Sequence, residues 1–271
     1  MEYWSIGMMG PLITGGVLIG SAGLVCAIAL SAAAKIFIVH EDPKISRAVE
    51  LLPGANCGGC GFAGCADYAK AIVVDAAAIN LCAPGGNDVI KSLAELMGVE
   101  ASSVERKVAI VLCGGGSSNA PRKFAYNGVA DCSAANSVAG GDKACRYGCL
   151  GYGGCARVCP TGAIEIKDNL AVVHPDSCIG CGACVKACPR NLIELIPDLR
   201  KIHVLCSSKD KGPVVKKACK VGCIGCTVCA KLAENEAINM DGFLAVVDYS
   251  KELDNDKVVE KCPGKCIVKN G

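Results

Sequence analysis

Eight cysteines crowd residues 145–189, spaced C-x3-C-x5-C-x3-CP and then, 18 residues on, CIGCGACVKACP, which is C-x2-C-x2-C-x3-CP. Thiols this dense constrain the fold more than any other feature, because the chain has to wrap around whatever they bind. Four thiolates hold one [4Fe-4S] cluster, and in paired runs of this kind the first three cysteines serve one cube while the cysteine before proline crosses to the other. The spacing therefore assigns Cys178, Cys181 and Cys184 to one cluster with Cys159, and returns Cys188 to Cys149 and Cys155. Tyr152 stands where a middle cysteine is expected, and Cys145, one helical turn before Cys149, is the nearest replacement. Zinc also takes C-x2-C pairs, but the Cys-Pro endings and ligand-dense triplets favour iron and sulfide.

The 271 residues suffice for two or more small domains. Twenty-two cysteines stand against four Phe and one Trp, so aromatic packing is not what mainly orders the soluble parts. In a secreted chain such a count would mean disulfides, yet tight C-x2-C-x2-C runs suit metal, and a reducing compartment follows. The net charge is +2 and no long basic and aromatic stripe is present, so nucleic acid is not an expected partner.

No charged residue falls between Glu2 and Lys35, and residues 11–34 supply about 24 mostly apolar positions, enough for the roughly 20 that cross a bilayer as helix. A cleaved signal peptide would start with positive charge and carry a shorter apolar region, whereas this chain starts MEYW. Residues 1–40 are thus expected to anchor the chain in membrane lipid as a single pass. Lys35, Lys44 and Arg47 follow the span, and the positive-inside rule puts that side, with the soluble part, in the cytoplasm. Gly16 and Gly20 form a small-xxx-small pair at which another helix would fit closely.

Residues 42–52 have the spacing of a helix that stops at Pro53. LPGANCGGCGFAGC follows, with Cys57, Cys60 and Cys65 spaced C-x2-C-x4-C and Cys82 beyond a run of helix formers. Glycines here let the backbone close around an inorganic core and offer amide donors to its sulfurs. The segment reads as a loop and helix holding a further [4Fe-4S] cluster in a domain spanning residues 41–100. Residues 87–98 read as an amphipathic helix and residues 107–112 as a short buried strand. GGGSSNAP at 114–121 is a loop or hinge; no Lys-Ser/Thr follows it, so it is no phosphate cradle.

Adding 74 to a residue number in the cysteine-rich stretch lands on a related residue: CS at Cys132 and Cys206, KAC at Cys145 and Cys219, GC at Cys149 and Cys223, LAVV at Leu170 and Leu244, CP at Cys188 and Cys262. This is an internal duplication. Its losses are coherent, since Cys159, Cys178, Cys181 and Cys184 correspond to Ala233, Glu252, Asn255 and Val258. The second copy has shed one whole cluster and kept Cys223, Cys226, Cys229 and Cys262 for the other. The expected fold is α+β: an N-terminal transmembrane helix, a small helical iron-sulfur domain, a ferredoxin-like repeat with two clusters over residues 101–200, and a degenerate repeat with one over residues 201–271. Sixteen cysteines then serve four clusters. Of the remainder, Cys26 lies in the span; Cys113, Cys132, Cys206 and Cys219 either build a fifth cluster or remain buried free thiols, and Cys266 has no assigned role.

His40, His174 and His203 are scattered and assemble no catalytic set, and no dinucleotide fingerprint occurs. One-electron transfer is the only chemistry in view. The order of span, LPGANCGGCGFAGC with a distant Cys82, and ferredoxin-type repeats resembles the B subunit of the Rnf complex, a membrane-bound ion-translocating electron-transport complex. The resemblance covers nearly the whole chain, and in it Cys57, Cys60, Cys65 and Cys82 match that subunit's N-terminal cluster. It implies that reduced ferredoxin passes electrons through this subunit to other subunits, usually towards NAD. A membrane-tethered polyferredoxin serving a hydrogenase or another reductase is the alternative, and a zinc-bound scaffold a third. Because low-potential ferredoxins are usually acidic, Lys209, Lys211, Lys216, Lys217 and Lys220, set against the single acid Asp210, are the expected docking patch.

Overall fold

The computed structural model describes residues 6–36 and 42–270; Glu2 and His40 lie outside them. The chain divides into two compact units, Met1–Pro43 and Lys44–Gly271. The first is built on α1 (Ile6–Ile36). Its stretch Thr14–Lys35 is long and apolar enough to cross a membrane, and none of it is buried within the protein. Leu18, Ile19, Val25 and Leu30 are all exposed along it, the surface that a lipid-facing helix presents and that a water-facing one avoids.

The second unit opens with three helices, α2 (Pro43–Leu51), α3 (Cys65–Val74) and α4 (Gly86–Met97). Helix α4 stops because Gly98 adopts the left-handed conformation at its C-cap, with φ of 68°. Ala48, Leu52, Tyr68, Ala69, Ile72 and Leu93 form the core between them, and Cys82 joins it.

Two copies of one strand-and-helix pattern follow. The first contains β1 (Lys107–Val111), α5 (Cys132–Ser137), α6 (Gly154–Arg157), β2 (Ile164–Lys167), β3 (Leu170–Val173), α7 (Ala183–Ala187) and β4 (Ile193–Pro197). The second contains β5 (Ile202–Val204), α8 (Gly212–Ala218), α9 (Val228–Leu232), β6 (Ile238–Asp241), β7 (Leu244–Val247), α10 (Asp256–Glu260) and β8 (Ile267–Lys269). In each copy a central hairpin pairs antiparallel, β2 with β3 and β6 with β7. In each an outer pair brings the start and end of the copy together, β1 with β4 and β5 with β8. The hairpins match residue for residue at the offset of 74, Ile164 with Ile238 and Val173 with Val247.

The second copy fills the space of the lost cluster with apolar side chains. Val258, at the position equivalent to Cys184, is 1% exposed and packs with Ile238, Leu244 and Ile267. Asn255, equivalent to Cys181, caps α10 by accepting from Lys257 N and donates to Leu232 O at 3.1 Å. Burying Val, Leu and Ile side chains is worth about 1.5–3 kcal/mol each, so a hydrocarbon core replaces an inorganic one as the support for this hairpin.

Candidate iron-sulfur centres

Five cysteine-lined cavities open among the described residues of the second unit, and four or five cysteines line each. Among the described residues no three His, Cys, Asp or Glu side chains close on a point as tightly as a single ion requires. The sulfurs ring a space instead.

The first cavity gathers Cys57, Cys60, Cys65 and Cys82. Cys65 begins α3, where its backbone N–H donates to Asn56 Oδ1 at 2.8 Å, and this bond folds the cysteine loop back onto the helix. Cys82 is far away in sequence, and Tyr68 brings it in. The Tyr68 hydroxyl donates to Ala78 O at 2.7 Å and accepts from Leu81 N at 3.2 Å, so a buried ring on α3 fixes the segment that ends at Cys82.

Cys159, Cys178, Cys181 and Cys184 line the second cavity. A third holds Cys149, Cys155 and Cys188, but the fourth thiol there is Cys132 and not Cys145. Two features explain the exchange. Residues 143–153 form turns and no helix, so Cys145 and Cys149 do not share a helical face. Meanwhile Asp131 caps α5 by accepting from Ser133 N and Ala134 N at 2.8 and 3.1 Å and pairs with Arg157 of α6, which lays Cys132 beside Cys155. Tyr152 has turned to other work: its hydroxyl donates to the buried Asp142 at 2.9 Å, and Arg122 stands 3.0 Å from the same carboxylate oxygen.

The fourth cavity lies between the copies, lined by Cys113, Cys145, Cys206 and Cys219. Here too Cys145 stands where Cys132 was expected. Cys113 follows β1 and Cys206 follows β5, and their two loops interlock: Gly114 N donates to Leu205 O at 2.9 Å and Ser207 Oγ to Leu112 O at 2.8 Å. Gly114 and Gly115 of the glycine loop form a wall of this cavity. A Cβ at Gly115 would meet Cys219 Sγ at 3.1 Å and Ala120 Cβ at 3.3 Å, closer than ordinary contact, so a side chain there would press on the cysteine. The fifth cavity contains Cys223, Cys226, Cys229 and Cys262, and with them Cys266, which sequence reading left without a role.

The sulfurs are supplied with backbone donors. Ala163 N reaches Cys159 Sγ at 3.2 Å, Ala109 N reaches Cys178 Sγ at 3.4 Å, Leu192 N reaches Cys188 Sγ at 3.4 Å and Ala245 N reaches Cys223 Sγ at 3.4 Å. Such N–H···S bonds stabilise thiolates that carry a cluster's charge. Unligated, the thiols oppose one another. Burial first, then the neighbours Cys149, Cys132 and Cys188, push Cys155 up to about 12, and burial with Cys178 and Cys181 pushes Cys184 up to about 11. Each such ligand gives up a proton when it binds metal. In the fifth cavity Cys223 and Cys262 are drawn below the usual thiol range by Cys266, while the same contacts drive Cys266 up. The donor set, four or five thiols around each space with amides aimed at a thiol in four of the five, fits [4Fe-4S] clusters.

The cavities lie in series. The first meets the second where Gly59 rests on Cys181, an added Cβ falling 2.7 Å from its carbonyl oxygen. Second and third share two short segments, one carrying Cys155 and Cys159, the other Cys184 and Cys188. Third and fourth touch where Cys149 N donates to Cys113 Sγ at 3.3 Å. Gly222 stands between fourth and fifth, next in sequence to Cys223, its added Cβ 3.8 Å from Cys219 Cβ and 4.0 Å from Cys206 Sγ.

His203 sits in β5, 1% exposed, with Nδ1 at 3.2 Å from the Tyr249 hydroxyl, and His174 pairs with Glu165 at 3.2 Å; neither lines a cavity described above.

Comparison with known proteins agrees with this geometry. Residues 52–84 match a family model for an Fe-S cluster, and residues 171–194 match the 4Fe-4S binding domain. The chain is 42% identical over 261 residues to the B subunit of the Na(+)-translocating ferredoxin:NAD(+) oxidoreductase complex of Acetobacterium woodii, covering 96% of this chain and 78% of that one. It is 42% identical over 261 residues to the B subunit of the ion-translocating oxidoreductase complex of Methanosarcina acetivorans, covering 96% and 99%. The B subunit of the proton-translocating ferredoxin:NAD(+) oxidoreductase complex of Clostridium ljungdahlii is 43% identical over 249 residues, covering 90% and 88%.

Proposed function

This chain belongs to the B-subunit family of ion-translocating oxidoreductase complexes, the Rnf complexes, and we propose that it holds five [4Fe-4S] clusters in a single line and relays electrons from reduced ferredoxin to its partner subunits, usually towards NAD. The observation that carries this reading is that residues of each cysteine-lined cavity adjoin those of the next, through Gly59 and Cys181, Cys149 and Cys113, and Gly222 beside Cys219 and Cys206. When bound, such clusters supply one-electron carriers. The ligand sets are Cys57, Cys60, Cys65 and Cys82; Cys159, Cys178, Cys181 and Cys184; Cys132, Cys149, Cys155 and Cys188; Cys113, Cys145, Cys206 and Cys219; and Cys223, Cys226, Cys229 and Cys262. The set between the copies is the necessary link, since without it the second copy's centre is cut off from the rest.

Helix α1 holds the protein in the membrane, with Lys35, Lys44 and Arg47 marking the cytoplasmic side. The docking surface for an acidic ferredoxin is α8 and its flanks. Lys211, Lys216, Lys217 and Lys220 are exposed there, while Val215, Ala218 and Cys219 of the same segment line the fourth cavity. Cys226, in the fifth set, is itself exposed. A basic surface over two centres steers an acidic donor to the shortest entry. Against a zinc scaffold stand the matches of residues 52–84 and 171–194 to iron-sulfur family models.

The test is Cys219→Ser in the anaerobic full-length protein. Rapid-freeze EPR after mixing with reduced ferredoxin should show the reducible clusters split into two groups, only one of which responds at the wild-type rate. If every remaining cluster is reduced as fast as in wild type, the single line is wrong.

A further inference from the structure

The fifth cavity has one thiol too many. Cys266 is 3% exposed and lines it together with Cys223, Cys226, Cys229 and Cys262. Its Sγ stands 3.8 Å from Cys262 Sγ, in S–H···S contact. Sulfurs in S–H···S contact are too close to ligate two different irons of one cube, so Cys266 does not join Cys262 as a ligand. Its position is fixed by backbone, since Leu205 N donates to Cys266 O at 2.7 Å where the chain enters β8. The duplication supplies a control. The position equivalent to Cys266 at the offset of 74 is Leu192, which is 2% exposed and lines the third cavity beside Cys188. The sister site thus presents hydrocarbon where this one presents a hydrogen-bond donor.

We infer that Cys266 is a positioning residue that donates its S–H to the ligand sulfur of Cys262 and thereby raises the reduction potential of the cluster held there. The inference rests on the proposed ligand set of the second copy. Hydrogen bonds to ligand sulfurs disperse the negative charge that a reduced cluster adds, and so favour the reduced state. With a cluster bound beside the exposed Cys226, this hydrogen bond would favour uptake of an electron from a low-potential donor over its return.

The experiment is an EPR-monitored redox titration of anaerobic full-length protein, comparing wild type with Cys266→Leu and Cys266→Ser, the signal being assigned as the one lost in Cys223→Ser. Leucine reproduces the buried side chain of the sister site, and serine restores a donor. The leucine variant should keep the wild-type iron and sulfide content. At the wild-type midpoint its reduced-to-oxidised ratio should fall about threefold to tenfold, which is a displacement of about 30 to 60 mV to more negative potential at 59 mV per decade for a one-electron couple. The serine variant should titrate near wild type. An unmoved midpoint in the leucine variant overturns the inference, and so does loss of one cluster's iron from it, which would make Cys266 a ligand. Absence of that cluster from wild type would overturn the ligand set and the inference together.

Discussion

Lys143 carries its charge inside the protein. It is 3% exposed, and its ammonium donates to backbone carbonyls, Cys149 O at 2.6 Å and Gly115 O among them, between the third and fourth cavities. A buried cation is costly unless opposite charge stands near, and thiolate-ligated clusters on both sides would supply it. Its counterpart at the offset of 74, Lys217, is exposed on α8, so the same residue type is structural in one copy and surface charge in the other. His203 is the contrasting case, a titratable group held neutral. Burial lowers its pKa to about 4, below the unfolded value of about 6.5. The unfolded chain therefore takes up the proton first as pH falls, and stability is full above about 6.5 and declines towards 4. By pH 5 this should cost roughly 1 to 2 kcal/mol relative to pH 7.5. Urea unfolding of cluster-loaded wild type and His203→Gln should show that difference shrinking in the variant. Equal pH slopes would mean that His203 contributes nothing to acid sensitivity.

At the scale of elements, the loops after β1 and β5 explain why two cysteines changed places. Val111, Leu112 and Cys113 repeat as Val204, Leu205 and Cys206 at an offset of 93, not 74, because 32 residues run from Cys113 to Cys145 but only 13 from Cys206 to Cys219. The CS dipeptide that equates Cys132 with Cys206 is therefore a coincidence of spacing. Cys132 belongs to the first copy's extra segment, and in the proposed ligand set it takes the place that Tyr152 vacated. The repeated VLC was a readable signal, whereas the Asp131 cap and its Arg157 partner, which aim Cys132, depend on tertiary contact. The cysteines that share the other three cavities and the helix at 86–97 follow from spacing and periodicity, since local cysteine runs and apolar stripes leave one geometry. Cys132→Ser and Cys145→Ser should each remove one cluster, and the double variant two; a double variant that loses only one would return both residues to a single site. The α8 surface makes its own prediction. Replacing Lys211, Lys216 and Lys217 with Glu should slow reduction by ferredoxin several-fold at low salt, and the gap should close as the Debye length falls to roughly 10 Å at 0.1 M. Reduction by a small neutral reagent should be unchanged. Equal ferredoxin rates at low ionic strength would put docking elsewhere.

Across the whole molecule, cysteine and glycine do what aromatic residues do in other domains of this size. Apolar clusters form around the ligand loops, with Cys155 and Cys184 inside one and Cys223 and Cys229 inside another, so core and cofactor sites are the same places. That coincidence explains how a chain with four Phe and one Trp orders more than 200 residues beyond its apolar helix. It also ties metal content to folding. The most direct measurement is therefore the iron, acid-labile sulfide and zinc content per chain of anaerobically purified full-length protein, taken beside Cys219→Ser. Five cubes give about 20 irons and about 20 sulfides per chain without zinc, and Cys219→Ser should lose about four of each. About 16 irons in wild type, with no loss in Cys219→Ser, would contradict the link between the copies, and zinc in place of iron would contradict the account as a whole.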